Sequence, residues 1–522
     1  LYVCATMKKN PEQRINSLFI HQGLKDGVPF FKDEAAAYGV AEKGYSMNAA
    51  FLDYDLDGDL DLYVLNNILN SEIPSAWRNK IIDGTAANND QLYRNNGNGT
   101  FTNVTKEAGI VWEGYGLGLA IADYNNDRYP DIYVSNDYMS NDLLYINNKN
   151  GTFTNQLPSV VRHHSMFSMG NDASDFNNDG WVDVITLDML PETYRRKKTT
   201  IQGSSYTVYL NNEKWGYQFQ HVRNMLQVNN GVTAAQPLSF SEAGFLAGVY
   251  ETDWSWSPLF ADYDNDGDKD LFITNGFPKD ITDKDFSNYR NDVGAVASAG
   301  LLVDSIPVVK VSNYAFENTG LLQFQNVTET WGMKIPSFSN GAAFADLDLD
   351  GDLDYVVNNI NDPAFLFENR SVQLNPESSN YLRIRLLGSG ANPAALGARV
   401  KVVSASGQIQ YYDQSAYRGY LSTVEPVIHV GLGSEKAVAL VEVSWPNGTV
   451  SRIENSAANQ TLVMSEAAGV SQDIVTTAPP LVVRVEDDGL RFRPQEEDKI
   501  DYNIQRTLPH KFSQSGPCMA VG

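Results

Sequence analysis

The chain has 522 residues, and its 39 Lys and Arg against 64 Asp and Glu give a formal net charge of −25. This length allows two or three domains with hydrophobic cores of their own. The excess of acid excludes nucleic acid as a partner, because no basic stripe is present to neutralise phosphates, and it disfavours an anionic membrane surface. No apolar run reaches the about 18 residues of a membrane helix.

Five segments share one pattern: an apolar strand, an Asp-rich loop of nine residues and a second apolar strand. These are loop 1, DYDLDGDLD (53–61); loop 2, DYNNDRYPD (123–131); loop 3, DFNNDGWVD (175–183); loop 4, DYDNDGDKD (262–270); and loop 5, DLDLDGDLD (346–354). Hairpin signals follow some of them, as in NGTFTNVT (98–105) and NGTFTN (150–155). Each unit therefore predicts about four short strands, and repetition of whole four-stranded units favours a β-propeller over a sandwich.

Two longer connections interrupt the repeat and are predicted to project as contact surfaces. Residues 185–225 contain the basic run Arg195-Arg196-Lys197-Lys198, interpreted as a solvated loop that pairs with nearby acids. Residues 282–303 are predicted to form a helix that begins with a capping box of Thr282 and Asp285.

The spacing of oxygen-bearing residues in the loops predicts calcium sites. Positions 1, 3, 5 and 9 supply side-chain oxygens, position 7 supplies its backbone carbonyl, and glycine at position 6 permits a sharp turn. Such hard oxygen ligands in six- to eight-fold coordination select Ca²⁺. A preference of Asp and Asn for turns explains one such loop, but it does not explain five at the same phase. The predicted ligands are Asp53, Asp55, Asp57, Asp59 and Asp61; Asp123, Asn125, Asp127, Tyr129 and Asp131; Asp175, Asn177, Asp179, Trp181 and Asp183; Asp262, Asp264, Asp266, Asp268 and Asp270; and Asp346, Asp348, Asp350, Asp352 and Asp354.

These loops are not EF-hands, because no glutamate stands at position 12 and their flanks are strands. We expect about five Ca²⁺ ions with a structural role, each tying together the strands of one unit. Loop 2 is predicted to be the weakest site, because Arg128 replaces the glycine at position 6.

The frame AFLDYDLDGDLDLYV (50–64) and its repeats resemble FG-GAP/VCBS repeats, which build the propellers of integrin α-subunits. The resemblance covers roughly residues 1–370 and implies an all-β fold, a seven-bladed calcium-loop propeller whose N-terminal part precedes this chain. The segments NYLRIRLLG (380–388), LGARVKV (396–402), HVGLG (429–433) and VEVSWPNG (441–448) resemble the ASPIC/UnbV domain. That domain occurs in cartilage acidic protein and in many bacterial secreted proteins, and here it implies a small β-sandwich-like domain.

The resulting domain prediction has four parts: a propeller at 1–370, a linker at 371–380, the ASPIC/UnbV domain at 381–466, and at 467–522 a linker with the first strands of a further propeller-like domain. KFSQSGPCMAVG (511–522) matches PSFSNGAAFA (336–345), the strand before loop 5. LYVCAT (1–6) likewise aligns with the strand after loop 1. We therefore expect an Asp-rich loop on either side of this chain.

The segments DMLPE, LQVNNG, DWSWSPLF and NGFPKDITDKDF resemble the large surface-exposed VCBS proteins of Gram-negative glycan-degrading bacteria. That resemblance implies an extracellular protein at the outer-membrane surface, secreted or held as a lipoprotein by an anchor outside this chain. It also implies a protein or glycan partner, such as an outer-membrane transporter complex.

The sequence contains no nucleophile elbow, HExxH or P-loop, and its dense carboxylates lie in the calcium loops. We therefore predict a non-catalytic interaction module with no catalytic residues and no cofactor except Ca²⁺. The alternative is a propeller-based polysaccharide lyase or hydrolase. Trp254 and Trp256 lie on one face of a predicted strand, where they either stack on a sugar or protein partner or pack between blades.

Overall fold

The computed structural model describes residues 1–67, 76–200, 203–233, 236–294 and 296–471. The features below belong to one compact unit, Leu1–Val232 with Leu238–Val475. The fold is all-β, as predicted. The longest described helices have ten residues each, and no helix in the described ranges is long and apolar enough to cross a membrane.

Residues 1–367 form successive antiparallel sheets, and the first strands of blades 1 to 5 neighbour one another. The N-terminal sheet contains β1 (Tyr2–Val3), β2 (Ser17–Lys25) and β3 (Val28–Asp33). Blade 1 contains β4 (Ser46–Leu52), β5 (Asp61–Asn66), β6 (Gln91–Asn95) and β7 (Phe101–Asn103). Blade 2 contains β8 (Gly116–Ala122), β9 (Asp131–Asn136), β10 (Leu143–Asn147) and β11 (Phe153–Asn155).

The later blades follow the same order, with two short accessory pairs between them. The parallel pair is β12 (His164–Ser165) with β15 (Gln220–His221), and blade 3 contains β13 (Asn171–Ser174), β14 (Asp183–Thr186), β16 (Met225–Asn229) and β17 (Phe240–Glu242). Blade 4 contains β18 (Ser255–Ala261), β19 (Asp270–Asn275), β21 (Tyr314–Asn318) and β22 (Phe324–Asn326). The second accessory pair, β20 (Val311–Ser312) with β23 (Pro336–Ser337), comes before blade 5. The described part of blade 5 contains three strands, β24 (Ser339–Ala345), β25 (Asp354–Asn359) and β26 (Phe365–Phe367).

The hydrophobic cores lie between blades rather than within them. One core joins Tyr63 of blade 1 to Ile132 of blade 2, and equivalent cores join blades 2 and 3, 3 and 4, and 4 and 5. Strands such as β5 and β9 are therefore buried on both faces. This stacking is the reason that their sequences read as continuous apolar runs. The blade count of an intact ring stays a prediction.

The two connections contain helices whose bounds differ from the sequence prediction. The short helical turns beside the blades are α1 (Ala35–Tyr38) and α2 (Leu157–Val160). The first connection contains α3 (Tyr194–Thr199), which carries the basic run, and α4 (Tyr206–Trp215); α5 (Gly244–Ala247) lies in blade 3. The basic run is thus helical rather than a loop, but it does pair with acids, since Arg196 bonds Asp253 and Asp280.

The predicted single helix at 282–303 is two helices, α6 (Lys284–Val293) and α7 (Ala299–Asp304). Asp283 caps α6 by accepting a hydrogen bond of 2.8 Å from the Phe286 backbone N–H. The predicted capping residue, Thr282, instead donates its hydroxyl to Asp280. The predicted cap lies one residue too early, because both residues are good caps and the local contact of Thr282 with Asp280 leaves Asp283 to cap the helix.

The C-terminal domain is a two-sheet β-sandwich. After α8 (Ser371–Leu374) its strands are β27 (Asn380–Leu387), β28 (Arg399–Ser404), β29 (Ile409–Asp413), β30 (Tyr417–Arg418), β31 (Ser422–Thr423), β32 (Val427–Gly433), β33 (Ala437–Ser444), β34 (Thr449–Ala457), β35 (Gln460–Ser465) and β36 (Val470–Ser471). The sheets β32-β27-β35 and β29-β28-β33-β34-β36 enclose one core around Trp445. Strand β36 pairs with β34 beyond the predicted boundary at 466. The propeller-like strands predicted after it fall in residues 472–522, outside the described residues.

The hairpin β30–β31 of this domain reaches the inner strands of the propeller. Arg418 forms a bidentate ion pair with the buried Asp172 of blade 3, and its Nη2 also donates to the Phe260 carbonyl of blade 4 at 2.8 Å. Gly419, with φ of +68°, lies so close to blade 4 that a Cβ would approach the Ser257 hydroxyl oxygen to 2.1 Å. The hairpin therefore fills the space where the inner strands converge.

We predict that Arg418→Ala lowers the free energy of unfolding by about 3–5 kcal/mol, because it leaves the Asp172 carboxylate buried and unpaired. Urea denaturation of the purified chain measures this difference. The control is Arg385→Ala, which removes an exposed arginine from β27 of the same domain. Equal unfolding midpoints for the two variants would contradict the role given to the ion pair.

Candidate functional site

Each Asp-rich loop joins the first strand of a blade to its second. The position-1 aspartate follows strand one directly, and the position-9 aspartate is the first residue of strand two. The five loops therefore lie at the same end of their blades. The site residues predicted from sequence all lie in these connections.

The position-1 carboxylate shapes the loop. In loop 1, Asp53 accepts hydrogen bonds from the backbone N–H groups of Asp57 and Gly58, each at 3.1 Å. Equivalent pairs of bonds form to the first aspartates of loops 2, 3 and 4. In loop 5, Asp346 accepts from the N–H of Asp350 at 3.1 Å. This pattern folds the loop back so that its oxygens approach one another.

The position-9 carboxylate ties the loop to two other places in its blade. Asp61 accepts from the Tyr54 N–H at 3.2 Å and from the Asn95 N–H of the third strand at 2.8 Å. The Asp131, Asp270 and Asp354 carboxylates make the same two bonds. These aspartates therefore have a structural role in addition to the predicted metal role.

Three loops bring three carboxylates together. Ligand atoms lie within 4.8 Å of one another in the groups Asp53–Asp55–Asp57, Asp262–Asp264–Asp270 and Asp346–Asp348–Asp350. Buried oxygens of Asp55, Asp59 and Asp352 have no hydrogen-bond partner in the described part of the chain. Such oxygens are suited to a hard divalent cation. In loops 2 and 3, which carry Asn125 and Asn177 at position 3, the described carboxylates form no such group of three.

Burial, together with the charges of neighbouring carboxylates, raises the pKa values of several loop aspartates. Burial, followed by the charges of Asp57 and Asp55, raises the pKa of Asp53 to about 6. Burial raises the pKa of Asp61 to about 8, and burial with the charge of Asp264 raises that of Asp266 to about 7. The ionised form is therefore costly unless a cation lies among the oxygens. The residues present fit Ca²⁺. That the backbone carbonyls at position 7 are also ligands stays a prediction.

Neighbouring loops are linked through the residue at position 4, which the sequence prediction passed over. The side chain of Asn126 donates to the Gly180 carbonyl of loop 3 at 2.9 Å, and Asn178 donates to Gly267 of loop 4 at 3.2 Å. Asn265 in turn donates to Gly351 of loop 5 at 3.0 Å. Each bond runs from position 4 of one loop to position 6 of the next. Asparagine suits this position because its φ is positive in all three loops.

Cations of the protein lie between the loops. The buried Lys269 of loop 4 donates to the Asp175 carbonyl of loop 3 at 2.7 Å and to the Asn178 side chain at 2.9 Å. Its ammonium also lies 4.4 Å from the ring centre of Tyr412 in the C-terminal domain. The ammonium of Lys269 thus lies between loops 3 and 4 and offsets part of their acidic charge.

The C-terminal domain covers loops 2 to 5. Arg399 donates to the Asn126 side chain and, at 2.5 Å, to the Gly180 carbonyl. Arg383 lies 3.2 Å from Asp346 of loop 5. The ring Nε2 of His429 lies 2.6 Å from Oδ1 of Asn265, and burial lowers the pKa of this histidine to about 3. Because the neutral ring must donate there, the covering contact is uncharged across the physiological range.

Known proteins share both parts of the chain. The FG-GAP-like repeat family matches residues 81–134 and 123–186, and the ASPIC and UnbV family matches residues 388–471. The chain carries FG-GAP-like repeats and an ASPIC/UnbV domain. Cartilage acidic protein 1 from Xenopus tropicalis is 24% identical over 80% of the chain, and that from Mus musculus is 23% identical over 93%. The chain spans 54% and 61% of the length of these two relatives.

Similarity to solved structures is weak. The Vibrio cholerae biofilm matrix protein Bap1 is 10% identical, with a TM-score of 0.27 over 78% of this chain and 58% of its own. The Photorhabdus luminescens Tc holotoxin pore has a TM-score of 0.24 over 82% of this chain and 18% of its own. TM-scores this low support no conclusion about the fold or the function of this chain. The fold assignment depends instead on the strand order and on the FG-GAP-like match.

We predict that Ca²⁺ stabilises the fold. For sites with dissociation constants of about 10⁻⁴ M, Ca²⁺ at ~2 mM, an extracellular concentration, raises the free energy of unfolding by about 2 kcal/mol per site through mass action. Thermal melts in excess EGTA and in Ca²⁺ measure the shift. Asp55→Asn reduces the shift, whereas Asp304→Asn, at an exposed acid of α7, leaves it unchanged. Superimposable melts of the parent chain would contradict the prediction.

We also predict that Arg128→Gly strengthens the loop 2 site. Arg128 has a φ of +76°, a conformation that costs a non-glycine residue about 1–2 kcal/mol. Calorimetric titration with Ca²⁺ then shows the weakest site becoming tighter. The matched control is Asn361→Gly, which relieves a φ of +60° just beyond β25, at the end of blade 5 opposite its loop, and changes no calcium affinity. A weakest site that is unaffected by Arg128→Gly would show that loop 2 is not that site.

Proposed function

We propose that this protein is a non-catalytic, calcium-loaded interaction module that binds a protein or glycan partner outside the cell. In this proposal the FG-GAP-like propeller is stabilised at one end by Ca²⁺ and by the ASPIC/UnbV domain, and the opposite end of the blades binds the partner. The observation that carries the proposal is a partly exposed aromatic cluster at that opposite end.

The aromatic cluster consists of Trp254, Trp256 and Phe277, together with Tyr420 of the inserted hairpin. The ring centres of Trp254 and Phe277 are 4.7 Å apart in a stacked arrangement, and those of Trp256 and Tyr420 are 4.9 Å apart. Both tryptophans are only partly buried. Packing within the cluster therefore uses one face of these rings, and part of their surface is left for a sugar ring or an apolar side chain.

The long connections of blades 3 and 4 arise at the same end. Helices α3 and α4 lie between the second and third strands of blade 3, and α6 and α7 occupy the same place in blade 4. The ion pairs of Arg196 with Asp253 and Asp280 connect these two connections beside Trp254. They supply a polar rim to an aromatic centre, the usual organisation of a binding surface.

The extracellular part of the proposal rests on the metal. Modules with calcium affinities of about 10⁻⁴–10⁻³ M are filled at extracellular but not at cytosolic concentrations. We place the protein at a Gram-negative bacterial surface, secreted or held by a lipid anchor, as an accessory subunit of an outer-membrane transporter complex. Support for that location comes from the resemblance of segments such as DWSWSPLF (253–260) to large bacterial surface proteins.

A polysaccharide lyase or hydrolase requires an acid/base pair beside the aromatic cluster. Two buried carboxyl groups lie near it, and burial raises the pKa of Asp137 to about 7 and that of Asp188 to about 6. Asp188, however, already accepts hydrogen bonds from the Ser165 hydroxyl and from the N–H groups of Met166, Phe167 and Met189. It is a structural anchor of the connection, and Asp137 alone does not make a pair. The geometry therefore favours binding over catalysis.

We predict that Trp254→Ala abolishes capture of the partner while leaving the calcium-dependent thermal shift intact. Pull-down from native bacterial membranes identifies a protein partner, and a glycan array identifies a sugar. Phe245→Ala is the control, since it removes an exposed aromatic ring from the edge of blade 3. Equal capture by both variants would exclude the aromatic cluster as the binding surface. Polysaccharide turnover that is lost on substituting Asp137 would overturn the non-catalytic assignment.

A further inference from the structure

A phenylalanine from the fourth strand of one blade packs against the preceding Asp-rich loop at three interfaces. Phe153 of β11 has its ring centre 5.8 Å from that of Tyr54 at position 2 of loop 1. Phe240 of β17 lies 6.3 Å from Tyr124 of loop 2, and Phe324 of β22 lies 5.6 Å from Phe176 of loop 3. The fourth strand therefore completes its own blade and also seals the interface with the preceding one.

Among the described residues, blade 5 has no fourth strand. Strand β26 pairs there with β25 alone, and the chain turns into α8 after Asn369 instead of returning along the blade. Leu366 is 65% exposed, whereas its counterparts on the third strands of the other blades, Leu92, Leu144, Leu226 and Ala315, are each 0% exposed. The outer edge of β26 is thus an unpaired strand edge beside uncovered apolar surface.

A cavity of about 500 Å³ lies between blades 4 and 5, where the missing strand would place its phenylalanine. Its lining includes Tyr263 at position 2 of loop 4, Trp331, Met333, Tyr355 and Phe367. Tyr263 and Tyr355 are each only 2% exposed, yet their hydroxyl groups have no hydrogen-bond partner among the described residues. The hydroxyl group of Tyr124, which Phe240 contacts at a completed interface, is unpaired as well, so the cavity and the uncovered strand edge, rather than these hydroxyl groups, indicate the missing strand.

We propose that the edge of β26 and this cavity bind an extended polypeptide strand of the pattern Phe-x-Asn/Glu, which none of the described residues supplies. The strand adds antiparallel to β26 as the fourth strand of blade 5, and its phenylalanine enters the cavity against Tyr263. This is β-strand addition, in which backbone hydrogen bonds give affinity and a side-chain pocket gives specificity. The site lies apart from the aromatic cluster around Trp254.

The other blades define the register of this strand. Phenylalanine stands opposite the asparagine that ends the third strand in the pairs Asn95–Phe101, Asn147–Phe153, Asn229–Phe240 and Asn318–Phe324. Asn369 is the equivalent residue in blade 5. Its N–H already donates to Asp354 at 2.9 Å and its side chain to the Tyr263 carbonyl at 2.6 Å, the same contacts that Asn147 makes to Asp131 and Tyr54. The acceptor edge is therefore preorganised.

The residue that follows the incoming strand has a predicted hydrogen-bond partner for its backbone N–H as well. In blade 1 the Val104 N–H donates to the Leu92 carbonyl at 2.9 Å, and in blade 4 the Val327 N–H donates to the Ala315 carbonyl at 2.9 Å. The incoming chain makes the same bond to the Leu366 carbonyl. A following helical turn then covers the Leu366 side chain, as the turn containing Ala108 does for Leu92. A free aromatic compound could fill the cavity, but it would form none of the backbone hydrogen bonds along the edge of β26.

The first test is binding of a synthetic peptide with the sequence of residues 99–111, GTFTNVTKEAGIV, to the purified calcium-loaded chain, measured through tryptophan fluorescence and calorimetry. A matched peptide with Phe101→Ala is expected to bind at least about tenfold more weakly, because burial of a phenylalanine is worth about 1.5–3 kcal/mol. Equal affinities, or no binding of either peptide, would overturn the proposal. So would displacement of the parent peptide by a small aromatic compound at equal affinity, since that assigns the cavity to a small ligand.

The second test is trapping of the register by a disulfide. In the register above, residue 102 of the peptide lies opposite Glu368, so a peptide with Thr102→Cys cross-links to Glu368→Cys in the presence of a mild oxidant. The control is Glu317→Cys, the equivalent position in blade 4, where β22 already pairs with the third strand. Cross-linking of both variants, or of neither, contradicts strand addition at β26. Self-association of the chain that the peptide does not displace assigns this edge to a second copy instead.

Discussion

The carboxylates of five loops are held at one end of the blades, and the surrounding structure has to offset their mutual repulsion. Backbone N–H groups donate hydrogen bonds to the position-1 and position-9 aspartates, and these bonds stabilise the ionised form of the carboxylates. Lys269, Arg383 and Arg399 bring positive charge to the same end. These contacts do not neutralise the site, because the pKa values of several loop aspartates stay raised. We predict that a divalent cation supplies the remaining compensation, and the carboxylate groups of loops 1, 4 and 5 are suited to hold one.

The same concentration of charge explains where the C-terminal domain lies. The sandwich packs over loops 2 to 5, where Arg383 lies 3.2 Å from Asp346, Arg399 donates to the Gly180 carbonyl and the neutral His429 ring contacts Asn265. Its hairpin carries Arg418 to Asp172, so the deepest contact between the two domains is again a cation with a carboxylate. The opposite end of the blades carries the aromatic cluster and the long connections, and Tyr420 of the hairpin packs there against Trp256. The acidic loops therefore lie beneath the C-terminal domain, and the proposed binding surface lies at the other end of the blades.

Much of this architecture follows from local sequence. The alternation of apolar strands with loops 1 to 5 predicts the first two strands of every blade, and Asn-Gly turns predict the hairpins of blades 1 and 2. The helices of 282–303 were placed less well, because Thr282 and Asp283 are equally good caps and only the contact with Asp280 separates them. The bond from Asn126 to Gly180 and the ion pair of Arg418 with Asp172 were not predictable. Their partners lie in other blades or in another domain, and no local pattern encodes them.

The hairpin at 417–423 has a consequence for the order of assembly. It contacts Phe51 of blade 1 across 366 residues of sequence, and it also contacts blades 3 and 4. Contacts so distant in sequence require most of the chain to be synthesised before they can form, and they make folding slow. The contacts among the inner strands of the propeller are therefore complete only after the polypeptide has been translated through at least residue 423.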